Sequence, residues 1–377
     1  MKYTPHVNYH KNTSHFTVFR YCLILLASCL LTQRSYAFPV SELNQNETIV
    51  FFNTSAWFNS NTKQWHIPIH GWVYEPESSV ARKALFAASF KTLYDLETDD
   101  QTISNFSNRI NLFLADSQRA KKVVIRMAGL TFSLPESAPN GHFSQTLVLD
   151  ESVINTSRHK QRLSFQAVLP LQDNRQFTGH VNLISPTGVS IISDIDDTIK
   201  ISGVIDKKQL LKHTFYLDFK AVPGTADLYK KWLSTSGALH FVSSSPWQLY
   251  PPLKQFIEQA GFPSADYSLK YFRFKDSSFF NLFNNGIETK PPQIINILKK
   301  YPLRKFILIG DSGEQDPEIY AQIKQQFSDQ IIHIFIRNVT GENANNARFK
   351  NAFKNIKPEQ WQLYESVSDI NTEEGAY

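Results

Sequence analysis

Apolar positions along the chain follow two rules, and the change between them falls near the middle. In the first half, Ile49 to Phe52 and Trp65 to Tyr74 flank a turn region at Asn59-Ser60-Asn61, with Ile67, Ile69 and Val73 marking an alternation of apolar and polar residues. Period-two alternation bounded by turn formers predicts paired strands. From Ser79 to Leu96 the spacing becomes helical, with Val80, Ala84, Ala87 and Ala88 on one face, and Ile103 to Ala115 predicts a second helix. Strand patterns return at Val123 to Met127, Thr146 to Leu149, Leu163 to Leu169 and Phe177 to Leu183. Residues 38–187 therefore read as a β-rich, sandwich-like domain with a helical insertion.

Ser185-Pro186-Thr187-Gly188 is a turn signal, and beyond it the rule changes. Apolar strands at Val189 to Ser193, Leu239 to Ser243, Lys305 to Gly310 and Ile331 to Arg337 alternate with amphipathic helices at Thr225 to Ser234, Pro251 to Ala260, Pro291 to Tyr301 and Pro317 to Phe327. Strands alternating with helices predict an α/β fold around a parallel sheet, here spanning residues 188–369 and followed by a tail, 370–377.

The N-terminus stands apart from both patterns. Lys2, Lys11 and Arg20 precede an apolar stretch from Tyr21 to Thr32, and Ser35-Tyr36-Ala37 supplies small residues for cleavage. The apolar stretch is short against the ~20 residues of a membrane-spanning helix, so residues 1–37 read as a signal peptide for export to a periplasm or the exterior. An uncleaved anchor is one alternative. Leu26-Ala27-Ser28-Cys29 also resembles a lipobox, although Leu30 and Leu31 follow the cysteine and a better cleavage site lies downstream.

Without that segment, which carries Lys2, Lys11, Arg20 and Arg34 and no acidic residue, 35 basic residues face 34 acidic ones. A net charge of +1 gives no ground for expecting nucleic acid as a partner. Both cysteines, Cys22 and Cys29, also fall there, so a chain lacking it has no disulfide, cysteine–zinc site or cysteine nucleophile.

The chemistry is concentrated where strands end. Val189-Ser190-Ile191-Ile192-Ser193 runs into Asp194-Ile195-Asp196-Asp197-Thr198, and sites in α/β sheets form at the carboxyl ends of strands. A carboxylate attacking phosphorus gives an aspartyl-phosphate, and a second carboxylate two residues on can protonate the leaving oxygen and then activate water. Asp194 is thus the candidate nucleophile and Asp196 the candidate acid/base. Clustered carboxylates facing an anionic substrate call for a hard cation with oxygen ligands, which argues for Mg²⁺. A further carboxylate is expected from another strand end, and Phe306-Ile307-Leu308-Ile309-Gly310-Asp311 supplies it. Candidate phosphate-binding groups are Thr198, Ser243, Ser244 and Lys290, the last standing before a helix whose N-terminus favours anions.

The ordered set Asp194-Ile195-Asp196-Asp197-Thr198, Ser243, Lys290 and Gly310-Asp311-Ser312-Gly313-Glu314-Gln315-Asp316 resembles the motifs of the haloacid dehalogenase-like superfamily. Within it, the longer strings Asp194 to Lys200, Ser243-Ser244-Ser245-Pro246-Trp247 and Gly310 to Glu318 resemble the actin-patch-type phosphatidate phosphatase catalytic domain over about Ser190 to Val339. The resemblance implies a Rossmannoid sheet and a Mg²⁺ ion held by Asp194, Asp311 and the Asp196 backbone carbonyl. It also implies a phosphoryl group gripped by Ser243 and Lys290, and hydrolysis of the phospholipid phosphatidate to diacylglycerol and phosphate. Asp196 and Asp316 complete the candidate metal residues, and a membrane surface becomes a candidate partner. A phosphomonoesterase for soluble substrates, or a non-catalytic exported protein binding phosphate or lipid, are the other readings.

Several positions read two ways. Asp316 precedes Pro317, a plain N-cap arrangement. Thr198 serves equally as a turn residue; Ser243 competes with Ser244 and Ser245, and Lys290 with Lys270 and Lys275. The aromatics Phe272, Phe274, Phe279, Phe280 and Phe283, near Tyr271, fit an ordinary core or an acyl-chain groove. The intervals between motifs leave room for a small cap or none, so the mouth is expected to be open or shaded by the N-terminal half.

Overall fold

The computed structural model describes residues 39–94, 100–159, 161–233, 236–272 and 286–370, together with Met1. The rest of the N-terminal segment with Cys29, Lys275, Phe274, Phe279, Phe280, Phe283 and the residues beyond Ile370 lie outside the described residues.

Alternation in the first half produces a sheet built around one long strand. β1 (Thr48–Phe51) and β2 (Thr54–Asn59) precede β3 (Gln64–Glu75), which buries Trp65, Ile67 and Ile69 and leaves the residues between them less buried. α1 (Val80–Tyr94) and α2 (Asp100–Leu114) form the predicted insertion before β4 (Asp116–Ser117). β5 (Val124–Met127), β6 (Leu130–Ser133) and β7 (His142–Asp150) follow, then α3 (Glu151–Asn155), β8 (Arg162–Ala167) and β9 (Thr178–Ile184). All nine strands join one hydrogen-bonded sheet of order β1-β3-β2-β9-β8-β5-β6, with β4 and β7 on β3. Phe51 of β1 meets Phe143 of β7 and Phe165 of β8 edge to face, so strands distant in the order share one core.

The second half is a six-stranded parallel sheet of order β12-β11-β10-β13-β14-β15. Its strands are β10 (Val189–Ser193), β11 (Ala238–Pro246), β12 (Ala265–Lys270), β13 (Lys305–Asp311), β14 (Ile331–Arg337) and β15 (Trp361–Tyr364). β10 and β11 are buried at every position, as strands covered on both faces must be. The connections carry α4 (Lys207–Leu211) running into a π turn (Lys212–Tyr216), α5 (Thr225–Trp232), α6 (Tyr250–Gln259), α7 (Gly286–Lys300), α8 (Asp316–Gln326) and α9 (Ala347–Ala352). Between β10 and β11 the described chain holds only α4, the π turn and α5, so no separate cap domain is built there.

The chain leaves β10 to one side for β11 and β12, then returns to β10's other side with β13. A crevice opens where the order reverses, between β10 and β13.

The two sheets lie in one unit that begins at Val40, and their cores merge: Phe52, Trp72 and Tyr74 pack in the same cluster as Ile191, Phe241 and Trp247. At this seam the Asn53 amide donates to the Tyr250 hydroxyl at 2.8 Å, and Phe52 lies 4.3 Å from Trp247, ring centre to ring centre. His70 Nε2 and His142 Nδ1 approach to 3.1 Å there, and burial depresses both pKa values, to about 3 and about 4. α2 crosses the seam as well. Arg109 donates to the carbonyls of Thr214 and Leu217 at 2.9 and 2.8 Å, and Phe113 packs on Phe215 and on Phe272, the second residue past β12. The N-terminal half thus lays a helix across elements that follow the carboxyl ends of the parallel strands.

The link between the halves is also fixed. Arg304, fully buried, donates to the carbonyls of Ser185, Thr187, Val189 and Ser236 and to Ser190 Oγ, at 2.5 to 2.8 Å.

Candidate active site

β10 and β13 are apolar until their last residues, and both then present a carboxylate to the crevice. Asp194 directly follows β10, with its amide donating to the Ile309 carbonyl of β13 at 2.9 Å. Asp311 ends β13; its Oδ1 accepts from the amides of Gly313 and Glu314 at 2.7 and 3.1 Å, which shapes the loop leading into α8. Asp316 opens α8 and points back, its Oδ2 accepting the Asp311 amide at 3.2 Å. A Cβ on Gly310 would collide with the Asp316 carboxylate, so glycine is required for this return.

Each of Asp194, Asp311 and Asp316 offers an oxygen within 4.8 Å of the others, and all are buried. Lys290, from the first turns of α7, is 1% exposed and joins this group. Its ammonium lies 2.6 Å from Asp316, 2.8 Å from Glu314 and 3.0 Å from Asp194 Oδ1, the last without hydrogen-bond alignment. Burial opposes the charge on Lys290, but Asp194, Asp316 and Glu314 outweigh it and hold the ammonium well above its usual range. Asp194 and Asp311 are likewise raised, well above an ordinary carboxylate: burial is the largest cause, and neighbouring carboxylates add to it against the opposing charge of Lys290. Both Asp194 oxygens and Asp311 Oδ2 are buried without a hydrogen-bond donor. Three unsatisfied carboxylate oxygens on converging residues are expensive alone and fit an oxygen-liganded metal cation.

Asp196 stands in a different environment. Lys200 lies 2.6 Å from its Oδ1, Ser202 Oγ donates to the same oxygen at 2.7 Å, and Ser245 Oγ donates to Oδ2 at 2.8 Å. Burial would raise its pKa, but Lys200 and the three hydrogen bonds prevail and lower it. With both oxygens so engaged, the Asp196 side chain is not part of the three-carboxylate group. Asp197 turns the chain through positive φ (53°), and its carboxylate accepts from the amides of Ser202 and Val204 at 2.8 and 2.6 Å. Arg337 donates to the Asp197 carbonyl at 2.6 Å and braces the turn from β14.

Ser243 is buried in β11, and its Oγ accepts from the Ser245 amide at 3.1 Å. The hydroxyls of Ser244 and Thr198 are buried without partners. Of the three competing serines, Ser245 touches Asp196. Lys290, rather than Lys270 at the end of β12, joins the carboxylates. Lys200 and Glu314 stood inside motifs already quoted but with no role assigned, Ser245 entered only as a competitor of Ser243, and Ser202 was not singled out from the sequence.

Residues 189–338 match the family model of the phosphatidate phosphatase APP1 catalytic domain. Over 160 residues the chain is 39% identical to phosphatidate phosphatase APP1 of Saccharomyces cerevisiae, covering 41% of this chain and 27% of that protein. It is 31% identical over 204 residues to an uncharacterized protein of Schizosaccharomyces pombe, covering 52% of this chain and 33% of the relative. The chain thus spans a third or less of the curated relatives it matches. A solved chain from the Pnkp1/Rnl/Hen1 complex, 14% identical with a TM-score of 0.28 over 40% of this chain and 46% of its own, is too slight a likeness to carry an argument. The segment from Val189 to Asn338 belongs to the family of the phosphatidate phosphatase APP1 catalytic domain.

Proposed function

We propose that the protein is a Mg²⁺-dependent phosphatidate phosphatase with a haloacid dehalogenase-like catalytic half, working through an aspartyl-phosphate on Asp194. The observation that carries this reading is the convergence, at the switch between β10 and β13, of a buried nucleophile with unsatisfied oxygens, two further carboxylates and one buried ammonium.

Asp194, Asp311 and Asp316 would hold the cation, Asp316 directly or through water, and the ion when bound neutralises phosphoryl oxygens and draws the carboxylates into their ionised form. Asp194 attacks phosphorus as the P–O bond to the glycerol oxygen breaks, and Asp196 delivers the proton that leaves with diacylglycerol. Asp196 then takes a proton from water, whose oxygen displaces Asp194 and releases phosphate. Its depressed pKa in the free protein suits this second role; negative charge on the bound phosphoryl group raises it for the first. Lys290 and Ser243 grip the phosphoryl oxygens, and Lys200 with Ser245 aims Asp196. The same reading takes the segment up to Ala37 as an export signal.

Phosphate release is measured from phosphatidate vesicles and from a soluble phosphate ester, each with Mg²⁺ and with EDTA. EDTA and Asp194→Asn are each expected to abolish release, by at least about a thousandfold, with folding intact. Undiminished activity of Asp194→Asn refutes the nucleophile. A preference for the soluble ester keeps the mechanism and discards the lipid.

A further inference from the structure

An enzyme whose substrate is anchored in a bilayer has to bring its crevice to the lipid surface. The elements at the carboxyl end of the parallel sheet expose apolar and basic residues together. The loop from the catalytic turn is tethered where the Asp197 carboxylate binds the Val204 amide, and Val204 packs on Gly313 beside the carboxylate group. The next residue, Ile205, is 62% exposed, and Lys207 and Lys208 beside it are exposed too. Asp206 between them is occupied in capping α4 through the amides of Lys208 and Gln209.

A second apolar surface is carried by the hairpin that α2 anchors at the same end. On α1, Val80, Ala81, Ala84, Leu85 and Ala88 are exposed, the spacing of a single helical face, with Val80 at 78% and Leu85 at 71%. Ile103 on α2 is 53% exposed. Arg82 and Lys83 flank the stripe, and Lys212 and Lys220 lie on the segment under α2. Of the described acids nearby, Glu77 pairs with Arg82 at 2.6 Å and Asp218 accepts from Asn105 at 2.9 Å, while the sequence joining α1 and α2 adds Asp95, Glu97 and Asp99. An apolar face rimmed by lysine and arginine is the composition that seats at a bilayer interface rich in anionic headgroups.

We propose that Ile205, Lys207 and Lys208, together with the exposed stripe of α1, form a docking surface for an anionic lipid bilayer, placing the β10–β13 crevice at the headgroup level. The proposal builds on the phosphatidate reading but is tested apart from turnover.

Full-length protein is floated with phosphatidylcholine vesicles with and without phosphatidylglycerol, an anionic lipid that is not the substrate. Binding is expected only with phosphatidylglycerol and is expected to weaken with salt. Ile205→Asp and Leu85→Asp each weaken it roughly tenfold, and Lys207→Ala and Lys208→Ala about fivefold each. In all four variants, release from the soluble ester stays unchanged while release from vesicle-borne phosphatidate falls. Wild-type protein that ignores anionic vesicles overturns the proposal. So does a Leu85→Asp variant that binds vesicles normally but splits a dimer in sedimentation, because the stripe then faces a second copy. Vesicle binding without phosphatidate hydrolysis supports the docking surface and sinks the substrate reading alone.

Discussion

The two sheets bury comparable apolar cores, yet only one gathers charge. In the nine-stranded sheet, β3 is buried largely at alternate positions, and the buried Glu47 is held by Lys121 and by the side chain and amide of Asn44. In the six-stranded sheet the central strands β10 and β11 are buried throughout, and at the carboxyl ends of β10 and β13 lie buried carboxylate oxygens without a hydrogen-bond donor. The difference teaches where stability and chemistry part. Antiparallel strands can turn polar residues outward along their length, whereas parallel strands covered on both faces release polarity only at their ends. The half whose cost is concentrated is the half with a site.

The comparison is tested most severely by removing the charge that balances the site. Lys290→Met is expected to cut phosphate release about a hundredfold or more. It should also cost about 3 to 5 kcal/mol in thermal or urea unfolding, since Asp194, Glu314 and Asp316 lose their shared cation. A Met variant as stable as wild type would mean that the parallel half is held by apolar packing alone, like its neighbour.

The seam gives the next effect. His70 and His142 have folded pKa values of about 3 and about 4, below the unfolded value, so on acidification the unfolded chain takes up protons first. Stability is therefore unaffected well above pH ~6.5 and falls below it, by about 1.4 kcal/mol per pH unit per histidine until the folded values are reached, or about 2 to 4 kcal/mol by pH ~5. Urea midpoints across this range measure the slope, and His142→Gln should flatten it. The smallest effect is expected of Tyr250→Phe, which leaves the buried Asn53 amide without its acceptor and costs about 1 to 2 kcal/mol.

Where one physical signal decides the structure, the sequence was legible. β10 and β14 occupy the residues that their apolar runs predict, and β13 extends one residue further to include Asp311. β2, β12 and β15 escaped notice: Ala265–Lys270 and Trp361–Tyr364 are short and mix apolar with polar residues, and their place is set by the neighbour they pair with. The site divides in the same way. Asp194, Asp311, Asp316 and Lys290 were readable because they stand at strand ends and helix starts. The grip on Asp196 was not, because Ser202 reaches it from a loop and Ser245 from the end of β11, and only folding brings the two together. Arg109 gave no signal at all; one arginine in an amphipathic helix does not announce the carbonyls it will meet.

Arg304 bears on how this protein can be cut and joined. With one guanidinium gathering the carbonyls of Ser185, Thr187 and Val189, the crossing between the halves behaves as a splint and not as a hinge. A chimera that grafts the catalytic half onto another carrier must begin upstream of Ser185, because a junction at Gly188 would leave that guanidinium buried with part of its acceptor set gone.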